Sequence, residues 1–189
     1  MIKEILESVK FSKYFEGSVE DLLSAWTEPH RYFHTIEHLK RILILIESDM
    51  QGGKLSTYDY DVLRIAAIYH DISWLPIDDS INVKKSIDKF YEDFPNLPSL
   101  WANAIVSIIG STVEHNFEDK YSKLKKIFNS YDMNGIIAGD LQTLIDDGNN
   151  VAKEFNLDIK FFNEKRIEFL EKYKSYNPNI QLCIDYLKN

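Results

Sequence analysis

The chain has 189 residues, 44% hydrophobic and 28% charged, with a net charge of −8, the proportions of an ordinary globular protein. A chain of that length builds a core without disulfides or structural metal, and its one cysteine, Cys183, excludes both an intramolecular disulfide and a multi-cysteine zinc site. Its acidic balance argues against a nucleic acid polymer as partner, because such affinity is built by neutralising phosphates with Lys and Arg.

Met1 to Phe15 mixes Lys3, Glu4, Glu7, Lys10 and Lys13 among apolar residues, which predicts neither a signal peptide nor a membrane span. With the single cysteine, this fits a reducing cytoplasm. Ser18 is a plausible N-cap for a helix carrying Leu22, Leu23 and Trp26, which Pro29 ends. His34, His38, Ile42 and Leu45 then follow at helical spacing, beside a second stripe of Leu39, Leu43 and Ile46. The two histidines are expected on one interior face of one helix, closed by Gly52-Gly53.

Thr57 or Asp59 starts the next helix, whose run Val62, Leu63, Ile65 to Tyr69 is apolar almost all round and so predicts burial. It delivers His70-Asp71 at its C-terminal end. Pro76 and Asp78-Asp79 mark a loop, after which Val83, Ile87, Phe90 and Phe94 repeat at helical spacing. Pro98 opens a helix with Trp101, Ile105, Ile108, Thr112 and His115 on one stripe. Tyr121 to Phe128 is basic and amphipathic, and Ile137, Leu141 and Leu144 form a stripe that embeds Asp140. A carboxylate among apolar residues requires a partner. Two more helices, Phe161 to Tyr173 and one from Asn177 with Pro178 at N1, complete an all-α chain of eight or nine helices. The expectation is one domain, 1–189, with a motif-bearing core at about 26–145 and helices over 161–189 packed on it.

Two histidines and two aspartates offer neutral nitrogens and anionic oxygens, a set that suits Mn, Fe, Co, Ni or Zn, with Mg at an oxygen-rich position. Consecutive residues do not share a helix face, so His70 and Asp71 converge only at a helix end. Taken alone, His70 is explained as a cation at a helix C-terminus, and His34 and His38 as core histidines. Together, His38, His70-Asp71 and a distant aspartate resemble the H…HD…D signature of the HD superfamily of metal-dependent phosphohydrolases. Arg31-Tyr32-Phe33-His34 with His38, and Ala66-Ala67-Ile68-Tyr69-His70-Asp71, resemble the small bacterial predicted HD phosphohydrolases.

The resemblance runs from about Trp26 to about Ile145. It implies an all-α helical bundle of the HD-domain or phosphodiesterase-like type and a divalent metal held by His38, His70, Asp71 and Asp140. It also implies hydrolysis of a small phosphorylated substrate by metal-activated water, with Asp71 in the catalytic site and His34 protonating the leaving group. Asp132, Asp146 and Asp147 compete with Asp140, which is favoured for its place in the apolar stripe. Arg31 is a candidate phosphate clamp or an ion-pair partner of Glu28 or Glu37. His115 is a candidate substrate contact or a helix end, and Trp74 a candidate pocket wall. The chain departs from the resemblance at Thr35, where relatives carry Asn, at Val83, where they carry Glu, and at Ala138, where many carry Asp. Val83 and Ala138 motivate an alternative, an HD-fold binding or regulatory domain with weak turnover. His34-Thr35-Ile36-Glu37-His38 also matches the H-x-x-E-H pattern of zinc peptidases, with Glu37 as base. Substrate identity, one ion or two, and oligomeric state have no signature in the sequence.

Overall fold

The computed structural model describes residues 1–6, 11–114 and 120–188, and among them every regular element is a helix. The chain divides into two compact units, Met1–Tyr131 and Asp132–Asn189, the boundary falling at the last residue of a helix. The all-α expectation therefore holds.

In the first unit the helices are α1 (Ile2–Leu6), α2 (Val19–Trp26), α3 (Ile36–Gln51), α4 (Thr57–Tyr69), α5 (Asp79–Asp93), α6 (Ser99–Glu114) and α7 (Ser122–Asp132). Helix α4 is the axis. Val62, Leu63 and Ile65 to Tyr69 are all fully buried, as their unbroken apolar run requires, and α3, α5 and α6 pack around them. Its start is fixed by a capping box in which Ser56 accepts from the Asp59 N–H while the Asp59 carboxylate accepts from the Ser56 N–H. Ser18 caps α2 in the expected way, accepting from the Asp21 N–H at 3.1 Å. Trp26, at the end of α2, is fully buried and its indole N–H donates to the Ile68 carbonyl at 3.0 Å, tying α2 to α4.

Helix α3 begins later than the spacing suggests. Thr35 is its N-cap, so His34 stands in the turn before the helix rather than on its first face. His38, Leu39, Ile42, Leu43 and Ile46 form the buried face, and Gly52 with Gly53, at φ +71°, ends the helix.

The second unit holds α8 (Asn134–Ile137), α9 (Leu141–Glu154), α10 (Ile159–Glu171) and α11 (Asn179–Leu187) around Ile136, Leu144, Leu170, Ile180, Cys183 and Ile184. The stripe Ile137, Leu141, Leu144 is not one helix. The chain breaks at Gly139, where a Cβ would stand 2.1 Å from the Gly135 carbonyl oxygen, a contact only glycine tolerates. Asn177 closes the break, its amide donating to the carbonyls of Ile136 at 2.9 Å and Gly139 at 2.8 Å. No helix among the described residues is long and apolar enough to cross a membrane.

Candidate metal centre

His38 lies in the first turn of α3, His70 is the C-cap of α4, and Asp132 is the last residue of α7. One ligand atom from each of the three lies within 4.8 Å of the others, close enough to share one cation. Both histidines are buried, 3% and 1% exposed, and the aspartate is partly buried. Two imidazoles and a carboxylate suit a divalent transition metal, and three protein ligands leave positions for water or substrate.

The His70 ring is held in a defined orientation. Its Nδ1 is 2.9 Å from the Ala67 carbonyl, which only accepts, so Nδ1 carries the proton and Nε2 is the atom offered to a ligand. Trp26 and Phe128 pack on the ring at centroid distances of 5.7 and 5.4 Å. His38 is packed by Phe33 at 5.0 Å and faces the His70 ring at 5.5 Å.

Asp71 stands beside this group. Its Oδ2 is 3.0 Å from His70 Nε2 and 3.9 Å from His34 Nε2, so one carboxylate oxygen faces both histidines. His34 stacks on Trp74, with centroids 3.6 Å apart and planes inclined by 27°. Trp74 is only 6% exposed, which makes it the wall behind His34, and its carbonyl lies 2.9 Å from His30 Nε2. The turn after Asp71 is fastened by α5: Ser86 Oγ accepts from the Ser73 N–H, while the Asn82 side chain accepts from the Leu75 N–H and donates to the Leu75 carbonyl. Asp79, in the first turn of α5, joins the electrostatics of this group. Partial desolvation and then the Asp71 charge push its carboxyl above the usual range, while His34 pulls the other way.

Two expectations are corrected. Asp140 is not embedded in an apolar stripe; it is exposed and N-caps α9, accepting from the Thr143 N–H at 2.8 Å. That bond holds its carboxyl below the ordinary range. Its apolar neighbours belong to two helices, so the stripe never enclosed it. Arg31 does not offer a fork to a phosphate. It is 5% exposed, and its N–H groups donate to Glu28 and to the carbonyls of His34, Asp71 and Ile72. The ion pair with Glu28 is the one present, at 3.0 Å. His115 lies outside the described residues.

Sequence reasoning ranked Asp132 below Asp140, although a signal was present. Leu124 and Phe128 are buried on α7, and Asp132 continues their four-residue spacing by one more turn. Since Phe128 touches His70, the next residue on that face meets the same centre. The sequence marks Asp79 as part of a loop, whereas in the structure it opens α5. Glu37 is exposed and paired with Lys40, and His34 is off the helix, so the H-x-x-E-H peptidase pattern lacks its geometry.

Fold and site together define an all-helical protein with a histidine–carboxylate centre suited to a divalent cation. The chain matches no protein family, no curated protein and no solved structure.

Proposed function

We propose that the chain is a metal-dependent phosphohydrolase acting on a small phosphate ester, on the plan of the HD superfamily it resembles. The observation that carries this reading is the convergence of His38, His70 and Asp132, with Asp71 and His34 alongside. A divalent ion bound by the first three would supply Lewis acidity toward phosphoryl oxygens and acidify water.

The remaining work belongs to the protein. Ala67 holds the His70 tautomer that directs Nε2 inward. Asp71 Oδ2 lies between His70 and His34 and is placed to take a proton from water at the centre or to serve as a further ligand. His34, braced by Trp74, is the group placed to return a proton to the departing alkoxide, a task worth about 10² to 10⁴ in rate. Burial of both histidines lowers the local dielectric, so charges developing beside them are screened less than in water.

Metal analysis of the purified protein, then phosphate release from a panel of monoesters, diesters and nucleotides, tests the proposal. Release should depend on divalent metal and fall by at least about 10²-fold in Asp71→Ala. Release that survives in Asp71→Ala would sink it. Val83 supports a second reading, a metal-binding regulatory domain, because it is buried in the core where relatives carry a glutamate. Tight metal binding with no turnover on any ester would favour that reading.

A further inference from the structure

Arg31 lies outside the metal group yet touches the backbone on both sides of it. Its guanidinium sits 5.4 Å from the ring of the fully buried Trp26. Nε donates to Glu28 at 3.0 Å, Nη1 to the carbonyls of His34 at 3.0 Å and Asp71 at 2.8 Å, and Nη2 to the Ile72 carbonyl at 3.0 Å. Four of about five available N–H groups are thereby engaged. His34 precedes the first turn of α3 and Asp71 follows the last turn of α4, so Arg31 joins the backbone at the start of one helix to the backbone at the end of the other. Both side chains nonetheless act at the same place, with Oδ2 and Nε2 3.9 Å apart.

We propose that Arg31 is the positioning residue of the centre, setting His34 and Asp71 against each other by gripping the carbonyls of both. What those two groups then do rests on the phosphohydrolase reading; that Arg31 fixes where they stand does not. Only a planar fork with donors on several edges reaches three carbonyls and a carboxylate at once, which a lysine ammonium cannot. The cation also lies at the C-terminal end of α4, where the helix dipole favours positive charge.

Histidine ring NMR on metal-free wild type, Arg31→Lys and Arg31→Ala tests this, with methyl dispersion reporting the fold. In the wild type, the stack on Trp74 displaces the His34 ring protons upfield. Both variants should shift His34 most of the way toward a free histidine while His38 keeps its position, and millimolar methylguanidine should restore His34 in Arg31→Ala. Arg31→Lys keeps the stem and the charge, so it decides the question if Arg31→Ala does not fold. Wild-type His34 shifts in either folded variant, or equal movement of His34 and His38, would overturn the proposal.

A Co²⁺ titration adds a second readout. Arg31→Lys and Asp71→Ala should each weaken binding about 10- to 100-fold, and the double variant no more than Asp71→Ala alone. Additive losses would contradict action through Asp71. A wild type that binds no Co²⁺ removes the phosphohydrolase reading and leaves the NMR result to decide Arg31.

Discussion

Asp132 and Asp140 both stand at helix ends beside apolar residues, and their neighbours give them different tasks. Asp132 closes α7 next to the two histidines, whereas Asp140 opens α9 and spends its carboxylate on the Thr143 N–H. Asp132→Ala should lose at least about 100-fold in divalent metal affinity by calorimetry, since removing even an outer partner of a ligand costs 10- to 100-fold. Asp140→Ala should leave that affinity unchanged and lower thermal stability through loss of a cap. Equal metal affinity in wild type and Asp132→Ala would remove the centre described above. His34→Ala separates the two histidines of the first motif: it should keep metal and lose turnover, while His38→Ala should lose metal. Much of this was legible residue by residue, because His38 falls on a buried stripe and His70 ends a buried run. Arg31 was legible only in its pair with Glu28, because two of its other acceptors are backbone carbonyls 40 and 41 residues away, and no side-chain pattern records a carbonyl.

Helix α7 is moored at both ends. Lys123 approaches Asp59 of α4 at 3.7 Å, and Tyr131 donates its hydroxyl to Asp49 of α3 at 2.7 Å, directly before the candidate ligand Asp132. Tyr131→Phe should therefore weaken metal binding about 10-fold while leaving His38 and His70 in place. The Asp49 carboxyl is held below its ordinary value of 3.8 by the Lys54 ammonium first and the Tyr131 hydroxyl second. A folded pKa below the unfolded one contributes stability above the unfolded value, and that stability is lost as pH falls through the folded one. Urea midpoints measured from about pH 5 down to about pH 2 should thus fall less steeply in Asp49→Asn than in wild type.

Another mooring lies at the end of α4. Tyr69 donates to the buried Asp93, which also accepts from Lys89, and Gly17 passes so close that a Cβ would stand 2.3 Å from Asp93 Oδ1. Gly17→Ala should cost about 1–3 kcal/mol in urea unfolding, the usual penalty of overpacking. A smaller cost would mean that Asp93 moves freely. Helix existence and faces were readable from period and caps, but the start of α3 and the break before α9 were not. The first boundary falls where Thr35 takes an extended backbone, φ −103° and ψ 173°, without a side-chain cap bond, and the second at the close approach of Gly139 to Gly135.

At the scale of the molecule, a metal held by His38, His70 and Asp132 would link α3, α4 and α7, three helices of distant sequence. Ligand bound only by the folded state adds about 2.7 kcal/mol at 100 times Kd. For a chain of this length that is a rise in Tm of roughly 5 to 10 °C, reversed by chelator in a thermal scan. Unchanged melting with and without metal would show that no ligand set closes on folding.

The sequence by itself determined the helical class, the buried axis of α4, the caps at Ser18 and Gly52-Gly53, and the place of His70-Asp71 at the end of a buried helix. Each is written locally, in a period, a cap or an adjacency. Only the tertiary structure decided that Asp132 stands with the two histidines, that Trp74 braces His34, and that Arg31 faces inward to the backbone. Those outcomes depend on which helix ends meet and which backbone carbonyls a distant side chain reaches, and that is a property of packing among distant segments.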